Sequence, residues 1–297
     1  IFAQSGGGDA VQFQLISPQT KGLFQRAIIQ SAGSRMLRFP PQKSILSHGD
    51  TMEEAYALSA KLFEMCGVRT LAEARKLSAG ELLEKYNEMG RPMVPVIDGK
   101  FVPELPNDAF AHARLHDVSL MVTATSDEFM ARAAGPVKDW VDANFGDRAD
   151  EYWAMVKEAA GCDKEECLRK AAGYSTFNVG NRVTAEILAL NGRKVYFSEF
   201  GPTIPGDDAG AFHSCDLWFE FETLMKCWRP FDGHHFDIAR KMCNYWTNFA
   251  KSGDPNGPDA DGAPMPEWTP YTAESPRVIH LYDEIAMELP EEADKKR

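Results

Sequence analysis

Ile1-Phe2-Ala3-Gln4-Ser5-Gly6-Gly7-Gly8 is the stretch from which the fold is read. The apolar pair at its start reads as the end of a buried strand. The run that follows is a near match to G-x-S-x-G, the turn that passes sharply from strand to helix with a serine at its tip. Such a turn holds the serine in a strained backbone conformation, so its hydroxyl stands clear above the sheet. Strand and helix nearly touch there, so the positions two before and two after the serine must be small. Here they are Ala3 and Gly7. Ala3 departs from the usual glycine by one methyl group.

Working outward, Gly7 to Ile16 reads as a helix with apolar Ala10, Val11, Phe13 and Leu15, stopped at Ser17-Pro18. Arg26 to Gln30 is a short β-branched run, hence a second strand. Asp50 to Cys66 and Ser78 to Met89 have helical periodicity; Asp50 suits the N-cap of the first, and Ser78 with Glu81 a capping box for the second. Pro92 to Pro106 is Pro-rich and irregular. Ser119 to Thr123 has strand length and is followed by Thr125-Ser126-Asp127-Glu128. Residues 139 to 190 read as mainly helical, Val195 to Phe200 as a strand, and Gly201 to Gly210 as a Gly/Pro/Asp loop. Phe236 to Lys251 is an amphipathic helix, and Arg277 to Tyr282 alternates like a last, edge-side strand. Strands thus alternate with helices, which implies the α/β class: a mostly parallel sheet with crossover helices. The helical stretch 139 to 190 is longer than a crossover requires, as in inserts that cap a site. Residues 1 to 297 carry no clear internal linker or repeat and are read as one domain.

The chain has 297 residues, 44% of them hydrophobic and 26% charged, an ordinary globular composition. Its 32 basic and 44 acidic residues give a net charge of −12. That disfavours nucleic acid and anionic membrane surfaces as partners, since both reward clustered Lys and Arg. No uninterrupted apolar run reaches the length of a bilayer span. Six thinly spread cysteines exclude a disulfide-dense scaffold. Cys162 and Cys167 have the spacing of a small closed loop but read as free thiols. No second pair stands at zinc-ligand spacing, so no metal is assigned. The first residue is Ile1, already within an apolar strand; the chain is read as a fragment or processed product, with strands upstream of it missing.

A serine hydroxyl is a poor nucleophile at neutral pH. It needs a base within hydrogen-bond reach, and the base needs an acid to fix its tautomer and steady its charged form. Among the seven histidines, His213 follows the Gly/Asp-rich loop after strand 195 to 200, and catalytic residues in open α/β sheets gather beyond the carboxyl ends of strands. His213 could equally be a loop histidine bonded to backbone. His234 and His235 are the next candidates, with solvation or helix capping as the plain alternative. His112 and His116 lie on a short helix face without an H-E-x-x-H signature, and His48 and His280 have no helpful context. The acid should also leave a strand end. Glu128 qualifies after strand 119 to 123, with Asp127 as its rival; both could instead serve a helix dipole. Asp216 is too near His213 in sequence to orient it. The order Ser5, Glu128, His213 is that of the α/β-hydrolase fold. One oxyanion donor there is the N–H after the nucleophile, Gly6; the other donors belong to a Gly-rich loop upstream of the elbow.

With these residues in hand, the chain resembles the type-B carboxylesterases, the group with cholinesterase-like and para-nitrobenzyl-esterase-like members. The resemblance runs through nearly the whole chain. It is carried by Phe2 to Gly8, Leu15-Ile16-Ser17-Pro18, Gly22 to Ser31, Pro95-Val96-Ile97-Asp98-Gly99 and Ser126-Asp127-Glu128. It continues through Gly210 to Leu217, Tyr245 to Asn256 and Trp268-Thr269-Pro270-Tyr271. It implies an α/β-hydrolase fold with Ser5 as nucleophile, Glu128 as acid, His213 as base, Gly6 as an oxyanion donor, and Ser31 as a serine that hydrogen-bonds in support of the triad. Three positions depart from the family pattern: Ala3 for glycine in the elbow, Phe129 for the glycine after the acid, and Asp216 for glutamate in the histidine loop.

The activity this implies is serine carboxylic-ester hydrolysis through an acyl-enzyme, with no cofactor. The alternatives are a non-catalytic interaction protein on the same scaffold, since fold does not fix function, or an amidase using the same three residues. Phe129, Met130, Trp218, Phe219 and Phe221 neighbour the acid and base in sequence; they line an apolar acyl or alcohol pocket or belong to the core. An apolar pocket favours short-chain or aromatic esters. The expected partners are a small-molecule ester and an upstream segment or chain that completes the fold. The thin cysteine usage together with the esterase resemblance points to the cytoplasm.

Overall fold

The computed structural model describes residues 1–36, 49–90, 93–128, 135–165, 167–168 and 176–289. Six strands form one sheet in the order β1-β2-β5-β6-β7-β8: β1 (Phe2–Gln4), β2 (Arg26–Gln30), β5 (Ser119–Thr125), β6 (Val195–Phe200), β7 (Val278–Leu281) and β8 (Ile285–Glu288). A two-stranded ribbon, β3 (Asp50–Thr51) with β4 (Val96–Ile97), stands apart. All pairings in the main sheet are parallel except that of β8 with β7. The register aligns Gln4 with Gln30, Gln30 with Thr123, and Thr123 with Ser198. β1 and β2 therefore end level, and β5 and β6 run two residues further in the same direction, which brings the functional loops to one rim. β8 covers the outer side of β7, whose residues are all buried. Arg277 to Tyr282 is thus not the sheet edge its alternation suggests; β8, too short and mixed to stand out in sequence, takes that place.

Parallel strands bury both faces, and these do so by strict alternation. Ala27, Ile29, Leu120, Val122, Val195 and Phe197 point to one core, together with α1 (Gly6–Ile16), α5 (Pro106–Ala111) and α8 (Thr176–Leu190). Ile28, Met121 and Tyr196 point to the other, covered by α9 (Asp216–Glu220) and α10 (Gly233–Ser252). α10 buries Ile238, Ala239, Met242, Tyr245, Trp246 and Phe249, the single stripe that a 3.6-residue period produces. Trp268 fills the space between this helix and the sheet, with ring contacts to Tyr196, Tyr245 and Trp246.

α2 (Met52–Met65), α3 (Leu71–Ala74) and α4 (Ala79–Met89) occupy the long connection from β2 to β5. The Ser78 capping box with Glu81 is present in α4. At α2 the cap is Thr51 with Glu54, not Asp50, whose backbone is engaged in the β3–β4 ribbon. Between β5 and β6, α6 (Val137–Phe145) and α7 (Ala149–Ala160) enclose a small separate core of Val137, Val141, Ala149, Val156 and Leu168. α8, by contrast, packs on β5 and β6 and is the crossover helix itself, so the region 139 to 190 combines an insert with part of the main layer. Cys162 and Cys167 are joined in a disulfide, contrary to the free thiols read from the sequence; the chain turns back just after α7 and brings the two side chains together. No helix among the described residues is long and apolar enough to cross a membrane.

Candidate active site

Ser5 occupies the single residue between β1 and α1, with φ 58° and ψ −127°. A non-glycine residue there carries strain of about 1–3 kcal/mol, sustained by bonds on both sides. Its N–H donates to Gln30 O at 2.8 Å, and its carbonyl accepts from Asp9 N–H at 3.1 Å. The turn is so tight that a Cβ on Gly7 would lie 2.8 Å from the Cβ of Ala3. The Ala3 methyl occupies the space between strand and helix, which leaves only hydrogen possible at Gly7. Gly6 is the first residue of α1, where backbone N–H groups lack an intrahelical acceptor and the helix dipole favours negative charge.

Ser5 Oγ lies 2.8 Å from His213 Nε2, and His213 Nδ1 is hydrogen-bonded to Glu128 Oε2. Glu128 is buried, and its other oxygen accepts from Thr125 N–H at 3.1 Å. The three side chains come from the ends of β1 and β5 and from the loop after β6, and they form one hydrogen-bonded chain. Asp127 does different work. Its carboxylate accepts from Ser126 Oγ at 2.7 Å and from Ala211 N–H at 2.9 Å, and its own N–H donates to Ala211 O. It ties the loop bearing Glu128 to the loop bearing His213. The histidine loop is held from its other end by Arg229, whose guanidinium grips Asp207 in a fork at 2.9 and 2.7 Å and donates to Pro205 O. The same guanidinium lies over the rings of Phe212 and Trp228.

Behind the histidine loop lie buried carboxyls. Asp216 is pushed up to about 8 by burial, reinforced by the nearby negative charges of Glu128 and Glu220, so it is protonated at neutral pH. Glu220 is also raised, chiefly by burial, and accepts from Gln30 Nε2 at 2.8 Å. Gln30 thus holds Ser5 through its carbonyl and α9 through its side chain. The Cys215 thiol is pushed up by burial and neighbouring carboxylates, which makes it a poor nucleophile.

The structure leaves other sequence-derived candidates in different roles. Ser31 is fully buried at a left-handed φ of 50°, and its hydroxyl has no hydrogen-bond partner among the described residues. Phe219 is fully buried in the core against Phe200 and Phe231. Trp218 is half-buried, edge-on to Phe212 beside His213. Phe221 is exposed, next to Phe2. Phe129, Met130 and His48 lie outside the described residues. His116 bonds Ser17 O and Thr20, His112 bonds Asp108 O, and His280 is buried beside Glu288. His234 and His235 sit at the start of α10 against Asp232, with the ligand atoms of all three within 4.8 Å of one another. Two contacts escaped the sequence reading. Gln4 Nε2 lies 3.3 Å from His213 Nε2, and the Phe177 ring stands edge-on to His213 at 5.4 Å. The first could have been suspected from adjacency to Ser5; the second arises only from the fold.

A hydroxyl, an imidazole and a carboxylate in this order can pass the hydroxyl proton to the imidazole and hold the resulting cation. Comparison with known proteins identifies the family. The profile of the Carboxylesterase family matches residues 1–296. Human (Homo sapiens) bile salt-activated lipase is 26% identical over 323 residues, covering 95% of this chain and 41% of that protein. Para-nitrobenzyl esterase of Bacillus subtilis is 24% identical over 318 residues, covering 100% of this chain and 61% of that protein. Among solved structures, a PNB esterase superposes with a TM-score of 0.73 at 21% identity, over 99% of this chain and 61% of its own. A carboxylesterase of Geobacillus stearothermophilus does so with a TM-score of 0.68 at 25% identity, over 100% of this chain and 63% of its own. The chain therefore spans between 41% and 63% of the length of these four proteins.

Proposed function

Because this chain belongs to the carboxylesterase family, we propose that it carries the reaction centre of a serine carboxylic-ester hydrolase. The observation that carries this reading is the unbroken hydrogen-bonded chain from Ser5 through His213 to Glu128. Ser5 Oγ attacks the ester carbonyl carbon while His213 Nε2 takes the hydroxyl proton. The negative oxygen that forms is held by the Gly6 N–H and by further donors. Collapse of this intermediate breaks the bond to the alcohol, which leaves with the proton from His213. Water then attacks the acyl-serine with His213 again as base, releasing the acid and restoring Ser5. Glu128 keeps the imidazole in the tautomer with Nδ1 protonated and balances its charge in both halves.

The remaining oxyanion donors come from a Gly-rich loop in a segment upstream of Ile1, which also pairs with the outer edge of β1. β1 lies at the edge of the six-stranded sheet with β2 as its partner, so its outer backbone groups are open to such pairing, which supports this assignment. The substrate is a small ester with an apolar acyl or aromatic group, in keeping with the Phe177 ring near His213.

A fluorophosphonate probe, with mass spectrometry to locate the adduct, tests the proposal on this chain and on a version extended at its N-terminus. The expected result is an adduct on Ser5 of the extended protein that His213→Ala abolishes. Folded extended protein without an adduct would overturn the reading in favour of a binding scaffold. A preference for charged esters over butyrate and aromatic esters would overturn the substrate class alone.

A further inference from the structure

Away from the reaction centre, Asp232, His234 and His235 form a group that the ester-hydrolase chemistry does not use. Asp232 Oδ1 lies 2.9 Å from His234 Nδ1 and 2.8 Å from His235 Nδ1, and the two imidazole rings are 4.1 Å apart between centroids. The far side of each ring is already held. His234 Nε2 faces Asp283 Oδ1 at 3.0 Å, and His235 Nε2 donates to Thr203 O at 2.9 Å. Asp283 is itself fixed, accepting from Thr203 N–H at 2.9 Å and from Thr203 Oγ1 at 2.6 Å.

This is the arrangement that outer partners impose on metal-binding histidines. A carboxylate or carbonyl takes the proton of one ring nitrogen and leaves the lone pair of the other aimed at a common point. With both Nε2 atoms committed as donors, the two Nδ1 atoms converge on a carboxylate oxygen. That convergence calls for positive charge: either a second ring proton, which the carboxylates of Asp283 and Asp232 favour on His234, or a cation held between the three atoms. The Asp232 N–H, 3.2 Å from His235 Nδ1, meets part of that need for one ring only. A cleft of about 270 Å³, lined among others by His234, Asp237, Lys241, Asp283 and Glu284, opens beside the group. It gives a hydrated cation a largely acidic approach.

We propose that Asp232, His234 and His235 bind one divalent transition-metal ion of the zinc type, with solvent in the remaining positions. Two imidazole nitrogens and one carboxylate oxygen suit zinc, cobalt or copper and disfavour calcium and magnesium, which prefer all-oxygen sites. The ion would join three segments at one point: the start of α10, the β7–β8 turn through Asp283, and the loop after β6 through Thr203. That last loop leads to His213, so the site is a clamp on the support of the reaction centre and lies outside the reaction itself.

Calorimetric titration of the chelator-treated full chain with zinc ion alone tests this, followed by cobalt(II) with absorption spectroscopy. The expected result is one tight equivalent, a raised melting temperature and cobalt bands of nitrogen–oxygen ligation. His234→Ala should weaken that equivalent by roughly tenfold or more, and Asp232→Asn combined with it should remove it. His234 and Asp232 are both largely on the surface, so these variants retain the fold; an unchanged circular dichroism spectrum checks it. Absence of a tight equivalent overturns the proposal. So does an equivalent that survives the double substitution, which would place the ion elsewhere, for example at the free cysteines.

Discussion

Glu128 has no rotational freedom to spare: Thr125 N–H fixes one oxygen and His213 the other. Glu128→Gln keeps the shape but removes the charge that holds the Nδ1-protonated tautomer. In the extended protein kcat should fall by roughly 10³–10⁴ with KM little changed, as for the corresponding change in other serine triads; a loss below tenfold in steady-state ester hydrolysis would remove Glu128 from its role. Asp216 shows the opposite use of a carboxyl. Its value in the folded state is raised from 3.8 to about 8. Over that interval the folded protein keeps a proton that the unfolded chain has released, so the contribution of Asp216 to stability is greatest at acid pH. It declines as pH rises toward 8, and is constant above. Asp216→Asn, which cannot ionise, should flatten this slope and leave the variant more stable than the parent at pH 8 to 9. Urea unfolding of both proteins at pH 5 and pH 8.5 reads the difference; equal slopes would mean that Asp216 is ionised in the fold.

At the scale of elements, the elbow and the insert answer differently to change. Gly7→Val puts methyl groups where the Ala3 methyl already lies. It should destabilise by at least about 1–3 kcal/mol, the usual cost of overpacking, and pairing it with Ala3→Gly should recover part of the loss in denaturant titrations. The Cys162–Cys167 bridge closes a loop of sequence separation 5 beside the small core of α6 and α7. By the chain-entropy argument such a loop contributes about 2 kcal/mol, and only to the insert. Cys162→Ser should therefore speed proteolysis within residues 135–168 while leaving the unfolding midpoint of the main sheet in place. What the sequence made legible follows the same division. Elements that repeat a strong local pattern, such as the Ser78–Glu81 box, β2, β6 and the apolar stripe of α10, read directly. For Ser5, Glu128 and His213 the chemistry narrowed the choice to residue types beyond strand ends, leaving Asp127 beside Glu128 and a plain loop role beside His213, and the family resemblance chose among them. The cap at Thr51, the outer strand β8, the core position of Phe219, and the contacts of Gln4 and Phe177 with His213 depend on which distant segment arrives alongside. No local window contains that information.

For the whole molecule, the sheet is a partition between two cores, and helix packing on each side holds the strand ends that bear the site. α8 presses so closely on the turn after β2 that a Cβ on Gly33 would lie 1.9 Å from Asn181 N. On the opposite face Trp268 is the largest fully buried side chain. Trp268→Ala should cost about 3–5 kcal/mol, seen as a lower urea midpoint. The Ser5–His213 geometry should survive in whatever fraction remains folded, so probe labelling per folded molecule should not change.

The parallel pairings also set a timetable. Each joins segments separated by a helix or more, from β1 with β2 to β6 with β7. Such contacts must close long loops before they return any energy, which makes assembly slow. The antiparallel β7–β8 hairpin is the one local pairing of the main sheet among the described residues. In a pulse-labelling refolding experiment, amides of Val278–Leu281 and Ile285–Glu288 should gain protection early. The junction of Ser5 with His213, 208 positions apart along the chain, should be completed last. A refolding chain would then spend its vulnerable interval with the β7–β8 hairpin ordered and β1 still unpaired.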